Sequence, residues 1–160
     1  MEKNHRAIET FERLWLLFVL GMLVFFLVVI TGMLRTHGGT VPERAERIDA
    51  TKVRTEGNFA NPRVVFEGGR YIAYVQAFAY GYLPAEITVK KGLPVTFYVT
   101  SPDVQHGFYV ENTNINIQVI PGQVAQVTYT FKRPGVYRII CNEYCGLGHQ
   151  NMFGKIRVED

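Results

Sequence analysis

The chain has 160 residues and a net charge of +3, with 48% hydrophobic and 13% aromatic residues. That is room for one domain with additions and enough apolar side chain for a core, which excludes a disordered, charge-driven chain. Nothing repeats internally and no stretch is low in complexity, so a repeat array is excluded as well.

Residues 1–13 form a short polar start with Lys3, Arg6 and Arg13. Leu14 to Leu34, LWLLFVLGMLVFFLVVITGML, follows as 21 uncharged residues bounded by Arg13 and Arg35. A helix of that length spans about 30 Å, the thickness of a bilayer hydrocarbon core. Trp15 stands at its start, where an indole suits the headgroup layer. A secretory signal would have a shorter apolar core and a small-residue cleavage site; the sequence that follows, RTHGGTVPER, has no such site. The span therefore predicts a single retained transmembrane helix. Basic residues flank both ends, Arg35, Arg44 and Arg47 following it, so the positive-inside rule gives no orientation.

Residues 35–62 are polar, with Gly, Pro and charges and no clear period, and read as a juxtamembrane linker that then packs on the domain. From Arg63 the pattern turns to short β-branched and aromatic runs: RVVFE, YIAYVQAFAY, AEITVKKG, PVTFYVTS, HGFYVE, INIQVIPG, QVAQVTYTFK, GVYRIIC and FGKIRVED. Turn signals such as EGGR, KKGLP, SPD, IPGQ and KRPG separate them. Evenly spaced strands without an intervening helix predict an antiparallel β-sandwich or small barrel over residues 63–160.

Soft donor residues are concentrated in one place. Past residue 40 the chain has two Cys, two His and one Met, and four of these five fall in CNEYCGLGHQNM, residues 141–152. The fifth, His106, follows TSPDVQ at the start of a predicted strand. A Cys141–Cys145 disulfide is one reading: a helix would hold the Cβ atoms about 5–6 Å apart, too far for a bridge, but Gly146 and Gly148 argue for a loop, where it can form. Zinc held by Cys141, Cys145, His149 and His106 is a second, though it leaves Met152 unused. A nucleophilic Cys–His pair uses fewer still of these residues. Thiolate, thioether and imidazole together select copper, and two thiolates can bridge two ions.

SPDVQHGF followed by CNEYCGLGHQNM resembles subunit II of the haem–copper cytochrome c oxidases, and its single helix and short domain are similar to the ba-type, or B-family, form. The resemblance implies an all-β cupredoxin-like Greek-key sandwich behind one N-terminal transmembrane helix, carrying a binuclear Cu-A centre of two copper ions. It implies that Cys141 and Cys145 bridge both ions, that His106 and Met152 complete one, and that His149 and the backbone carbonyl of Glu143 complete the other. In the family the Glu143 side chain also helps bind magnesium or manganese; here the carbonyl role is favoured. An aromatic segment takes part in electron entry in the family. VQAFAYGYLP occupies that place, with Tyr74, Phe78, Tyr80 and Tyr82 at period 2 on one expected strand face and Phe78 and Tyr80 the candidates. Asp103 is expected to cap the SPD turn, with a bond to the ligand loop as the alternative.

The resemblance further implies an electron inlet to an oxidase that reduces oxygen in subunit I, where the haems lie; no catalytic residue is expected in this chain. Subunit I, a cytochrome c donor and the membrane are the expected partners, and no nucleic acid. Because the donor lies outside the cytoplasm, the domain should face the extracytoplasmic side of the plasma membrane, with the N-terminus inside. GLGHQNMFG, NTNINIQ and QAFAYGYLP carry no charged side chain, so a largely apolar docking face is expected, with electrostatic steering minor. Nitrous oxide reductase shares the ligand motif, but a short chain with an anchor argues against it. A copper carrier or assembly protein is the alternative from another class, and such carriers rely on Met- or His-rich sites. A quinol oxidase subunit would lack the ligands.

Overall fold

A computed structural model describes residues 2–37 and 46–160; part of the expected linker, residues 38–45, lies outside the described residues. The chain divides into two compact units, residues 1–41 and 42–160.

The described residues of the first unit form one helix, α1 (Glu2–His37). Ile8–Arg35 within it is long and apolar enough to cross a membrane, and its 28 residues extend about 42 Å, enough for the hydrocarbon core and much of the headgroup layers. The Thr10 and Thr31 hydroxyls donate to the carbonyls of Arg6 and Leu27 one turn back, at 2.8 and 2.7 Å. They thus place no unsatisfied hydroxyl on an apolar surface.

The second unit is a two-sheet sandwich with, among the described residues, eleven strands: β1 (Glu46–Arg47), β2 (Arg63–Glu67), β3 (Arg70–Phe78), β4 (Gly81–Leu83), β5 (Glu86–Lys90), β6 (Pro94–Thr100), β7 (His106–Val110), β8 (Asn116–Val119), β9 (Gln123–Thr130), β10 (Gly135–Ile140) and β11 (Phe153–Glu159). One sheet runs β1-β9-β6-β3-β2 with β4 paired to β3, and the other runs β5-β11-β10-β7-β8. The expected all-antiparallel pairing is corrected in two places: β3 and β6 are parallel, as are β5 and β11. After β4 the chain crosses to the other sheet as β5 and returns as β6, a crossover rather than a hairpin, so β6 runs alongside β3 in the same direction.

Alternation along the strands builds the core between the sheets. Ala73, Val75 and Ala77 of β3 and Val95, Phe97 and Val99 of β6 are buried from one side, and Ile87, Val89, Phe108, Val110, Ile139, Ile156 and Val158 from the other. Beyond β1, residues 48–62 pack on the outer face of the first sheet. There Val53 and Phe59 join Val124 in a smaller cluster with Ile48, Tyr74 and Tyr98. Buried Gln76 donates to the Phe59 carbonyl at 2.5 Å, tying this stretch to β3.

The YIAYVQAFAY run is not one strand. Its ladder ends at Phe78, and Gly81–Leu83 folds back so that Tyr82 lies opposite Ala77. The shared face expected for Tyr74, Phe78, Tyr80 and Tyr82 is therefore corrected. Tyr74 belongs to the small outer cluster and Tyr82 to the main core, because reversing the chain restarts the two-residue alternation.

Candidate metal centre

β10 and β11 form a hairpin whose ladder ends at Ile140 opposite Phe153, so residues 141–152 are its connecting loop. Cys141 N donates to the Met152 carbonyl at 3.3 Å and closes the base. A 3-10 turn, His149–Asn151, presents His149 and delivers Met152 to the start of β11. Next to β10 in the same sheet, β7 begins at His106. His106, Phe108 and Val110 share its inward face, which is how a histidine comes to be wholly buried.

The structure brings all six candidate ligands to one end of the sandwich. The Cys141 and Cys145 sulfurs are 3.8 Å apart and both thiols are free, far beyond the roughly 2.05 Å of a disulfide. With metal–sulfur bonds of about 2.3 Å, a metal ion can touch both. The Cys141 sulfur lies 4.0 Å from His106 Nδ1 and 3.2 Å from the Glu143 carbonyl. The Cys145 sulfur lies 3.6 Å from His149 Nδ1 and 3.7 Å from the Met152 sulfur. His106, Cys141 and Cys145 offer donor atoms all within 4.8 Å of one another. Two thiols, two imidazole nitrogens, a thioether and a carbonyl around one sulfur pair fit soft metal ions, and Met152, fully buried, has a place in such a set that zinc would not give it.

Burial, reinforced by neighbouring Cys141, pushes the Cys145 thiol up to about 11, so metal must displace a proton to bind there. Asp103 caps the turn as expected, and its further bonds go to the candidate ligand His106 and to Ala79 rather than to the 141–152 loop. Oδ1 accepts from Val104 N at 2.7 Å within the turn and lies 2.8 Å from His106 Nε2, while Oδ2 accepts from Ala79 N at 3.0 Å. Burial alone disfavours the charged form and would push its pKa up; the bonds from Ala79, His106, Val104 and Ser101 outweigh that and hold the carboxyl below its ordinary value. With Nε2 engaged, Nδ1 of His106 is the nitrogen turned to the sulfurs.

Tyr80 and Phe78 part company. The Tyr80 ring lies on the ligand loop, so close that a Cβ on Gly148 would come within 2.6 Å of its Cγ and one on Gly146 within 2.8 Å of its hydroxyl. Only glycine admits that cover. Phe78 belongs to the other face of β3, beside Arg54, Ala60, Pro62 and Leu83, and its ring backs Gly81. The Glu143 carboxylate accepts from Gln105 Nε2 at 3.1 Å.

Sequence reasoning missed Gly107 and gave Tyr82 no role. A Cβ on Gly107 would come within 2.7 Å of Asn142 N and 3.0 Å of Glu143 N, so only glycine lets β7 reach the loop. Tyr82 donates to the Gly107 carbonyl at 2.5 Å. A glycine after a candidate ligand was a readable hint; Tyr82 had none, because its contact is made across 25 residues.

Residues 82–159 match the family model described as cytochrome c oxidase subunit II, periplasmic domain. Cytochrome c oxidase subunit 2 of Thermus thermophilus is 54% identical, with 99% of this chain and 97% of that protein covered. Nitrous-oxide reductase of Stutzerimonas stutzeri is 31% identical over 61% of this chain but only 16% of its own length. Among solved structures, a chain of a haem–copper terminal oxidase dimer superposes with TM-score 0.74 at 29% identity, covering 92% of this chain and 99% of that one. The periplasmic domain of subunit II from Bradyrhizobium japonicum superposes with TM-score 0.53 at 18% identity over 62% of this chain and 88% of that one, a likeness of fold. With helix, sandwich and donor loop all falling inside a full-length match at that identity, this chain belongs to the cytochrome c oxidase subunit II family.

Proposed function

We propose that this chain is the electron-entry subunit of a haem–copper cytochrome c oxidase. The observation that carries the reading is a pair of free sulfurs 3.8 Å apart with four further donors gathered around them. Two copper ions held there would accept one electron at a time from cytochrome c and pass it to a haem in subunit I, where oxygen is reduced to water. Cys141 and Cys145 would hold both ions, His106 and Met152 would serve one, and His149 and the Glu143 carbonyl would serve the other. The bond from Gln105 to the Glu143 carboxylate favours a structural role for that side chain.

The protein's own part is to hold donors still and keep water out. His106 and Met152 are fully buried and Cys141 is 3% exposed; Asp103 fixes the His106 ring. Tyr80, 44% exposed over the loop, is the proposed point of electron entry, with Phe78 backing its turn. On the same loop Leu147 and Tyr144 are 88% and 75% exposed, apolar surface suited to brief contact with a cytochrome. Residues 14–34 cross the plasma membrane with 1–13 inside, 35–62 form the linker, and 63–160 carry the copper site on the extracytoplasmic side. A copper carrier is disfavoured by full-length similarity to an oxidase subunit.

The deciding experiment is copper counting and electron paramagnetic resonance on the oxidised full-length chain in detergent. Two coppers and a seven-line hyperfine pattern are expected, one unpaired electron being shared by two nuclei. A four-line signal from one copper refutes the reading.

A further inference from the structure

The β10–β7 ladder stops at Ile140 opposite Tyr109. Beyond that point β10 has become the ligand loop, and Gly107 faces a place where no strand continues. In a strand the N–H and C=O of one residue point to the same side, and buried backbone groups need partners. Two side chains supply them: the Gly107 N–H donates to the Cys141 sulfur at 3.4 Å, and the Tyr82 hydroxyl donates to the Gly107 carbonyl at 2.5 Å. Tyr82 is 2% exposed, and its ring meets Phe108 edge-on at 5.8 Å. A phenylalanine would fill the same volume, so the hydroxyl is accounted for by the bond it makes.

We propose that Tyr82 is a positioning residue for the metal pair: by pinning the Gly107 carbonyl it aims the Gly107 N–H at the bridging sulfur of Cys141 and thereby sets the reduction potential of the centre. This rests on the copper-pair reading above. An N–H···S bond draws electron density from the thiolate, and hydrogen bonding around a cysteine sulfur tunes a copper potential. Density withdrawn from sulfur favours the reduced, more electron-rich centre, so the bond raises the potential. Without the hydroxyl the Gly107 carbonyl loses its partner, the Gly107 backbone is free to shift, and the N–H···S bond lengthens.

The test is Tyr82→Phe in the full-length, copper-loaded chain in detergent. The expected result is an intact seven-line signal with a lower midpoint potential, the ratio of reduced to oxidised centre falling on the order of threefold to tenfold, where tenfold is 59 mV for one electron. The hyperfine coupling of the exchangeable Gly107 amide proton should weaken, and in the copper-free chain that amide should exchange faster with solvent. Replacing Tyr82 by 3-fluorotyrosine, nearly the same shape but a stronger donor, should move the potential upward, and covers the case in which Tyr82→Phe does not fold. If both replacements keep the parent potential and amide coupling while only the melting temperature changes, Tyr82 is a packing residue and the inference is wrong. Absence of the seven-line signal from the parent chain would instead overturn the copper-pair reading itself.

Discussion

At the scale of single residues, the site depends on side chains that touch no donor atom of the sulfur pair directly. Asp103 is the plainest case, since one carboxylate holds the His106 ring, the turn at Val104 and the backbone of Ala79 beside Tyr80. Its amide analogue keeps the shape but can place an NH2 where an oxygen accepted, and it loses the negative charge facing an imidazole. Asp103→Asn is therefore expected to weaken copper binding about 10- to 100-fold, as changes at the outer partner of a metal-binding histidine do. Competition against a chelator of known affinity would measure it, and an unchanged affinity would mean that His106 is oriented by packing alone.

At the scale of elements, two contacts decide how the sandwich is held. Residues 46–62 are anchored through Phe59, 8% exposed and edge-on to Tyr74 at 5.8 Å, and through the Gln76 bonds to the backbone there. Phe59→Ala should cost about 3 kcal/mol, the low end for a buried phenylalanine, and should speed hydrogen exchange in residues 46–62 before the two sheets are affected. The parallel β5–β11 pair is crossed by Glu86, whose carboxylate meets Lys155 Nζ and Arg157 Nε, each at 2.8 Å. The bonds from Lys155 and then Arg157 hold the Glu86 carboxyl below its ordinary value. Because its folded value is the lower one, the contribution to stability is present above the unfolded value of about 4.3. It is lost as pH falls through the folded value. Urea midpoints taken from pH 6 to pH 3 should show the parent chain ahead of Glu86→Gln at the upper end, with the gap closing toward the lower.

At the scale of the whole molecule, the chain is two units with separate physics. α1 exposes leucine, phenylalanine and valine on every side, a surface for lipid or for other membrane helices. The sandwich instead has its own core and donor loop within residues 42–160. A chain lacking residues 1–37 is therefore expected to be soluble without detergent and to bind copper in the same ratio as the full-length protein. Analytical ultracentrifugation and metal analysis would show it; aggregation or loss of copper would mean that the sandwich needs its helix.

The parts whose signal is local could be read from the residues alone. Twenty-one uncharged residues between Arg13 and Arg35 specify a membrane-length helix, and β-branched alternation specifies most of the strands. The crowding of Cys141, Cys145, His149 and Met152 into one loop, with His106 the remaining soft donor past residue 40, marks a candidate metal site from the sequence alone. What depends on partners far apart along the chain came from the packing of the fold. It split Tyr80 from Phe78 by reversing the chain after β3, made β3 parallel to β6, and laid the Tyr80 ring on Gly146 and Gly148. It also bound Tyr82 to Gly107 and Gly107 to Cys141. Periodicity reports which face a side chain takes within one strand, whereas partners 25 and 34 residues away are chosen by how the sheets pack, and no local pattern encodes that choice.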